Sequence, residues 1–137
     1  MTVSIKVCGY HIDVFQHVNN ARYLEFIEQA RWHWLEAESL LPWLQQQQIG
    51  LAAVNINIDY CLPVVLGDRL LIESELIRLG HKSAVLRQVI LRQSDKVRVA
   101  DARVTFVCLD LKTRCSMPFE GILRQKMQQR LSPHAAP

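Results

Sequence analysis

The sequence lacks the features that mark several broad classes of protein. No apolar run approaches the roughly 18 residues needed to span a bilayer, and the N-terminal segment alternates apolar and polar residues instead of forming a signal-peptide core. Basic residues are scattered, and the net charge is only +3, which argues against a nucleic-acid-binding surface. We therefore expect a cytoplasmic protein that does not insert into a membrane and does not bind nucleic acid.

Motifs for metals, nucleotide cofactors and common nucleophiles are also missing. The cysteines, Cys8, Cys61, Cys108 and Cys115, form no C-x-x-C pair, and the histidines show no convincing metal-ligand spacing. There is no Walker loop, no G-x-G-x-x-G and no G-x-S-x-G elbow. We therefore predict reduced structural thiols, no metal and no cofactor.

The composition is that of an ordinary folded domain. Half of the 137 residues are hydrophobic and 21% are charged, which is close to the average for soluble globular proteins. A chain of this length can bury most of the surface that it exposes when unfolded. We predict one domain over residues 1–131 and a flexible C-terminal tail over residues 132–137.

A long helix is the strongest local signal. Between Ala21 and Ala37 apolar side chains recur every three or four residues, which predicts an amphipathic helix. Either Asn19 or Asn20 can cap its N-terminus. A short strand is predicted before it, at residues 4–9, and a short second helix after it, at residues 39–48.

After Gly50 the hydrophobic period changes from that of a helix to that of a strand. Apolar and polar residues alternate from Val54 to Tyr60, and further strands are predicted at residues 69–79, 83–93 and 97–110. The links between these three are short enough for antiparallel hairpins. Residues 119–131 are predicted to form a C-terminal helix or tail. One long helix packed on a mainly antiparallel, curved sheet is an α+β architecture.

The densest cluster of functional residue types lies immediately before the long helix, from Tyr10 to Asn20. The start of a helix offers unpaired N–H groups and a positive dipole end that can hold an oxyanion. Asp13 can serve there as a nucleophile or as a general base for water. Alternatively, Asp13 and the asparagines only cap turns. His17 can orient water or a substrate carbonyl, or its ring can hydrogen-bond the turn.

Residues 13–25, DVFQHVNNARYLE, resemble the D-x-x-G-H-V-N-N-x-x-Y-L-x signature of the 4-hydroxybenzoyl-CoA thioesterase family. Further stretches, at residues 55–60, 67–68 and 105–113, resemble the long-chain acyl-CoA thioesterases within it. The resemblance implies a hotdog fold, in which a mainly antiparallel curved β-sheet wraps a long central helix. It also implies an enzyme of fatty acid metabolism that hydrolyses long-chain acyl-CoA to free fatty acid and coenzyme A.

The family's catalytic residues are carried over position by position. Its catalytic aspartate falls on Asp13, the backbone N–H that contacts the thioester oxygen falls near Asn20, and His17 keeps its place in the motif. Two positions depart from the family pattern. His11 stands where a second aspartate is frequent, and Gln16 replaces a glycine. Because a residue other than glycine disfavours positive φ, Gln16 puts the geometry of this turn in question.

The resemblance also suggests where coenzyme A binds. The family holds the nucleotide near a hairpin that corresponds to residues 80–83, so Arg78, His81, Lys82 and Ser83 are candidate substrate-binding residues. Ammonium and guanidinium groups complement phosphates. The alternative is that these are ordinary solvated charges of a hairpin.

The resemblance further implies a homodimer or homotetramer with active sites at the subunit interface. In such an assembly the partner's strand at residues 54–59 can line the acyl tunnel. Two other functions stay open. A non-catalytic acyl-CoA or lipid-binding module would keep the fold without turnover, whereas a 2-enoyl-CoA hydratase usually carries a G-D-x-N-P-x-H motif that is absent here. Release of thiol from palmitoyl-CoA separates the hydrolase from both.

Overall fold

A computed structural model describes residues 1–135, which contain three α-helices and six β-strands. In chain order these are β1 (Thr2–Lys6), α1 (Asn20–Glu36), α2 (Leu40–Gln46), β2 (Ile49–Tyr60), β3 (Arg69–Leu79), β4 (Ala84–Arg92), β5 (Arg98–Asp110), β6 (Cys115–Met117) and α3 (Gly121–Gln128). Short 3-10 turns lie at Gly9–His11 and Ala37–Ser39. The predicted helices and strands are all present, but β1 begins two residues and ends three residues before its predicted bounds, and β2 begins five residues before Val54. The sequence prediction missed the short strand β6.

The strands form one open sheet in the order β1-β3-β4-β5-β2, and β6 pairs with β5. β1 runs antiparallel to β3, with Val3 opposite Ile72, and β6 runs antiparallel to β5. The prediction of an α+β architecture with a mainly antiparallel sheet is confirmed. β1 and β2 are the two ends of the strand order, so each has one edge with no paired strand within residues 1–135.

α1 forms where the sequence predicts it because one side chain caps its start and one face is apolar. Asn19 Oδ1 accepts a hydrogen bond from the N–H of Ala21 at 2.9 Å, which resolves the choice of cap between Asn19 and Asn20. The buried face of α1 consists of Tyr23, Phe26, Ile27, Ala30 and Trp34. Each large buried side chain of this kind contributes roughly 1.5–3 kcal/mol.

The chain groups into two compact units, and the first consists of Met1–Trp34, Ile58–Ser74 and Gln88–Ala102. In this unit the helix is tied to the sheet by a buried amide. Gln88 Nε2 donates to the backbone oxygen of Ile27 at 2.9 Å and to Ser74 Oγ at 3.0 Å. Gln88 Oε1 accepts from Arg31 at 3.2 Å. The amide is therefore fully used, and it orients α1 on β3 and β4.

The second unit consists of Leu35–Asn57, Glu75–Arg87 and residues 103–135. Its core includes Phe119, which is fully buried and meets Phe106 edge to face at 6.0 Å. The C-terminal segment lies beside β3. The Ser132 N–H donates to the backbone oxygen of Leu76 at 2.8 Å, and the Ser132 hydroxyl donates a hydrogen bond to the Glu75 carboxylate. The flexible tail stays a prediction, and its residues 136–137 lie outside the described part of the chain.

Two further features concern bilayers and metals. No helix within residues 1–135 combines the length and the apolar character needed to cross a bilayer. The same residues hold no group of three or more metal-ligating side chains of the His, Cys, Asp and Glu types. All four cysteines are free thiols, and Cys108, in β5, is buried.

Candidate functional site

The segment between β1 and α1 closes into a tight turn around Asp13. The Asp13 N–H donates to the oxygen of His17 at 3.1 Å, and the Gln16 N–H donates to the oxygen of Asp13 at 2.9 Å. Val18 N–H donates to Val64 O at 2.9 Å, so the turn is also anchored to the loop after β2. Asp13 is therefore held by backbone hydrogen bonds on both sides of the turn.

The turn keeps the conformation that a glycine would favour, although no glycine is present. Gln16 has a φ of +64°, in the left-handed region. Such a conformation costs a residue other than glycine about 1–3 kcal/mol. The backbone hydrogen bonds around the turn offset this cost. Gln16 therefore adopts a backbone conformation that glycine takes without this cost.

The carboxylate of Asp13 is half-buried and both of its oxygens are engaged. Oδ1 accepts from the N–H of Phe15 at 2.9 Å, and Oδ2 accepts from Nδ2 of Asn19 at 3.0 Å. These two hydrogen bonds hold the carboxylate in a single orientation. Such a group can attack a carbonyl carbon or accept a proton from water.

Asn19 links this carboxylate to the start of α1. Its Oδ1 caps Ala21, while its Nδ2 donates to Asp13. Sequence reasoning identified Asn19 only as a possible cap and missed the second contact. The signal was available, because an amide whose oxygen caps a helix still has an NH₂ group to donate. The partner of that group, however, depends on the path of the turn.

The first turn of α1 leaves one N–H open. The Ala21 N–H donates to Oδ1 of Asn19, and the Arg22 N–H donates to the backbone oxygen of Asn19 at 2.9 Å. Within residues 1–135 the structure gives no acceptor to the N–H of Asn20. Tyr60 Oη donates to the Asn20 oxygen at 3.0 Å, which fixes this residue to the end of β2. An open N–H at a helix start is suited to hold a developing oxyanion.

The two histidines of the segment have different environments. The His17 side chain is exposed and its ring has no hydrogen-bond partner in the described part of the chain, so only its backbone takes part in the turn. His11, at the position of the family's second aspartate, is buried. Its Nδ1 accepts from the N–H of Cys8 at 2.9 Å. Burial, and then the charge of Arg22, lower the pKa of His11, so a neutral imidazole replaces that carboxylate.

A pair of tyrosines supports the start of α1. The rings of Tyr23 and Tyr60 meet edge to face at 5.1 Å. Burial, and to a smaller extent the neighbouring Tyr60, raise the pKa of Tyr23 to about 12. Tyr23 therefore stays protonated at physiological pH, and it acts as a packing residue beside the turn.

The candidate coenzyme A residues lie together in the β3–β4 hairpin. The Gly80 N–H donates to the oxygen of Ser83 at 2.8 Å, and Arg78 Nη2 donates to Ser83 Oγ at 3.1 Å. A Cβ at Gly80 would lie 2.9 Å from the Ser83 oxygen, so the tight hairpin needs glycine here. His81 and Lys82 are exposed at its tip. The arrangement presents three basic side chains and a hydroxyl on one turn.

Comparisons with known proteins agree with this architecture. The profile of the thioesterase-like superfamily matches residues 9–131. The chain is 52% identical over 129 residues to the long-chain acyl-CoA thioesterase FadM of Escherichia coli K12, covering 94% of this chain and 98% of that one. It is 30% identical over 96 residues to the acyl-CoA thioesterase YbgC of Haemophilus influenzae, with 69% of each chain covered.

A solved structure is also closely similar. The crystal structure of YbaW, a probable thioesterase from Escherichia coli, superposes with a TM-score of 0.90 at 51% identity. The match covers 96% of this chain and 99% of that one. Together with the strand order and the helix, this similarity confirms the predicted hotdog fold.

Proposed function

Because this chain belongs to the thioesterase-like superfamily, we propose that it is a thioester hydrolase that cleaves long-chain acyl-CoA to a fatty acid and free coenzyme A. The observation that carries the proposal is the 52% identity to FadM over 94% of the chain. The arrangement of Asp13 at the start of α1 supports it, since the carboxylate and an open helix N–H are the two groups that thioester hydrolysis needs.

Asp13 is the proposed catalytic carboxylate. In one form of the reaction its oxygen attacks the thioester carbon, the C–S bond breaks and coenzyme A leaves as the thiolate. Water then hydrolyses the acyl-aspartate and supplies the proton that the thiolate takes up. In the other form Asp13 takes a proton from water, which attacks the carbon. The C–S bond then breaks, and the thiolate leaves with the proton held by Asp13. Both forms place the same carboxylate beside the carbonyl, and the hydrogen bonds from Phe15 and Asn19 hold it in one orientation.

The N–H of Asn20 is proposed to stabilise the oxyanion. Negative charge develops on the thioester oxygen when the carbon becomes tetrahedral, and the helix start adds its positive dipole end to that N–H. Because Asn19 occupies the next two N–H groups of α1, Asn20 supplies the free donor. His17 is exposed beside this turn and is proposed to orient water or the carbonyl.

Coenzyme A is proposed to bind at the β3–β4 hairpin. Arg78, His81, Lys82 and Ser83 place basic side chains and a hydroxyl group on one hairpin, where phosphates can be bound without desolvating a buried charge. In acyl-CoA the phosphates lie at the other end of the pantetheine arm from the thioester carbon. Contacts with them are therefore expected to contribute to substrate affinity more than to the rate of the chemical step.

The active unit is proposed to be a cytoplasmic homodimer or homotetramer. β2 is at the end of the strand order and carries exposed apolar side chains, among them Val54 (59%) and Ile56 (37%). Pairing of this strand with a second copy covers both the open backbone edge and the apolar side chains. The partner's residues of this strand are then available to line an acyl tunnel.

The proposal is tested by measuring thiol release from palmitoyl-CoA and from shorter acyl-CoA substrates with the purified protein. A long-chain hydrolase gives the highest kcat/KM with palmitoyl-CoA. Binding of palmitoyl-CoA without thiol release would identify a binding module instead. Hydration of a 2-enoyl-CoA without thiol release would identify a hydratase.

A further inference from the structure

Tyr60, the last residue of β2, reaches from the sheet to the start of α1. Its hydroxyl donates to the backbone oxygen of Asn20 at 3.0 Å, across 40 positions of the chain. Both residues belong to the first compact unit. The reaction proposed above uses the N–H of Asn20 and assigns no role to Tyr60.

The main chain around Asn20 is otherwise held by close neighbours. The N–H of Ala21 donates to Oδ1 of Asn19, and the N–H of Arg22 donates to the backbone oxygen of Asn19, each at 2.9 Å. Both bonds lie within the first turn of α1, and helix ends fray because their terminal groups lack partners. Within residues 1–135, Tyr60 is the one residue of another element that bonds the Asn20 main chain. This bond therefore anchors the first turn of α1 to the sheet.

Tyr60 is itself held in place on two sides. Its ring meets the ring of Tyr23 edge to face, with the centroids 5.1 Å apart and the planes at 83°, and Tyr23 is only 4% exposed. The backbone is fixed just after Tyr60, since the Cys61 N–H donates to the oxygen of Val99 at 2.8 Å. A side chain that is locked in this way can hold a partner in one position.

The bond from Tyr60 bears on the direction of the Asn20 N–H. Two peptide groups meet at the Cα of Asn20. The oxygen of the first, which belongs to Asn19, accepts from Arg22, and the oxygen of the second, which belongs to Asn20, accepts from Tyr60. With both groups held, the open N–H of the first keeps one direction. A donor stabilises an oxyanion when it is aimed at the place where the charge develops, so the aim of this N–H depends on Tyr60.

We propose that Tyr60 is a positioning residue for the oxyanion donor, and that its hydroxyl holds Asn20 so that the N–H points at the thioester oxygen. This inference rests on the proposed function. Tyr60 acts through Asn20 and neither touches the reacting atoms nor moves a proton. Two other roles predict different results: a ring that only packs on Tyr23, and a phenol that contacts the substrate.

Removal of the Tyr60 hydroxyl tests this role, because Tyr60→Phe keeps the ring that packs on Tyr23. Loss of a whole oxyanion donor costs about a hundredfold to a thousandfold in kcat, so a donor that remains but is poorly aimed should cost about tenfold. KM for palmitoyl-CoA is expected to stay within about twofold. The affinity for S-hexadecyl-CoA, a thioether without a carbonyl oxygen, should likewise stay within twofold.

Tyr23→Phe is the matched control, since it removes the hydroxyl from the other ring of the same pair. Tyr23 serves in packing, so kcat of this variant should stay within twofold of the wild type. Equal losses of kcat in the two variants, or no loss in Tyr60→Phe, would overturn the proposal. A raised KM with unchanged kcat in Tyr60→Phe would show a direct substrate contact and would also overturn it.

Amide hydrogen exchange tests the anchor without turnover. In Tyr60→Phe the amide protons of Ala21 and Arg22 are expected to exchange at least threefold faster, because the first turn of α1 opens more readily. The Ser132 amide, which donates to the oxygen of Leu76, is the reference and should not change. Unchanged exchange at Ala21 and Arg22 would overturn the proposal.

The two experiments separate this inference from the proposed function on which it rests. If the wild-type protein releases no thiol, the proposed function fails and the catalytic part of the inference falls with it. Faster exchange in Tyr60→Phe would then still show that the hydroxyl anchors Asn20. If the wild-type protein releases thiol and Tyr60→Phe matches it in both kcat and exchange, the positioning role alone fails.

Discussion

Asp13 and Asn19 are the two residues whose side chains set the geometry of the candidate catalytic site. Nδ2 of Asn19 lies 3.0 Å from Oδ2 of Asp13, and Oδ1 of the same amide caps α1. A change at either residue therefore has a chemical and a structural component. Substitutions of similar size can separate the two components.

Asp13→Asn is expected to lower kcat for palmitoyl-CoA by about a hundredfold to ten-thousandfold, because a neutral amide can neither attack the carbonyl nor accept a proton. The fold should survive, since the amide oxygen can still accept from Phe15. Turnover and the thermal midpoint are measured on one preparation. The matched control is Asp110→Asn, at the last residue of β5, where Oδ1 of Asp110 accepts from the Lys112 N–H at 2.9 Å. Near-native turnover of Asp13→Asn would exclude Asp13 as the catalytic group.

Asn19 is expected to act as a positioning residue for Asp13, and two substitutions distinguish this role from simple capping. Asn19→Ser keeps a capping oxygen but removes the NH₂ donor, so kcat should fall while stability changes by only a few tenths of a kcal/mol. Asn19→Asp also keeps the cap but puts a second carboxylate against Asp13.

In Asn19→Asp a second carboxylate replaces the NH₂ group that donates to Asp13. It repels the Asp13 carboxylate instead of holding it, so kcat should fall as it does in Asn19→Ser. Turnover of palmitoyl-CoA and the thermal midpoint are measured on one preparation of each variant. If Asn19 only caps the helix, both variants will keep the wild-type kcat.

At the scale of secondary-structure elements, the attachment of α1 to the sheet depends on a buried polar group as well as on apolar packing. Gln88 joins α1 to β4 and β3 through hydrogen bonds to Ile27, Ser74 and Arg31. Burial lowers the pKa of Arg31, which indicates that its guanidinium has lost part of its hydration. Loss of the Gln88 oxygen would therefore leave a poorly hydrated charge without this acceptor.

Gln88→Leu is expected to lower the free energy of unfolding by about 1–3 kcal/mol, because it leaves the Arg31 donor and the Ser74 hydroxyl without their buried partner. Urea unfolding measures the change. Gln93→Leu is the matched control, since Gln93 is exposed just beyond β4, and its effect should stay within about 0.5 kcal/mol. Equal effects in the two variants would contradict the role of the buried amide.

The β3–β4 hairpin is the element at which coenzyme A is proposed to bind. Lys82→Ala is expected to raise KM for palmitoyl-CoA and leave kcat nearly unchanged, since a remote phosphate contact contributes uniform binding. The effect should shrink with added salt, because exposed charges are screened over about 10 Å at 0.1 M. Lys112→Ala provides a control in another exposed turn. An unchanged KM at low salt would make Lys82 an ordinary surface charge.

At the scale of the whole molecule, the open edge of β2 and its apolar side chains predict self-association. Light scattering at micromolar concentration should give at least the mass of a dimer. Val54→Asp should lower this mass and reduce turnover, because it places a charge on the exposed face of β2. Ile122→Asp, at a side chain that is 61% exposed on α3, should change neither. An active, stable monomer of the wild-type chain would refute the shared-site assembly.

Much of the fold was predictable because its signals are local. The spacing of apolar residues along α1 and along the strands β2 to β5 is visible within each short segment and identifies it as helix or strand. β3 begins and ends at the predicted residues. β6 was missed because three residues are too few to show a period. The motif before α1 also identified Asp13 as a candidate, since residue type and position at a helix start are visible in one segment.

The sequence by itself therefore determined the elements, the α+β class and the segment that carries the candidate catalytic carboxylate. Tertiary structure decided which groups meet across long separations. Gln88 lies 61 positions from its acceptor Ile27, and Lys6 and Glu25 line one pocket although they belong to different elements. Periodicity and residue type report only on neighbours along the chain. Hydrogen-bond partners, open donors and pocket walls depend on how the strands and the helix pack, and only the folded structure contains that information.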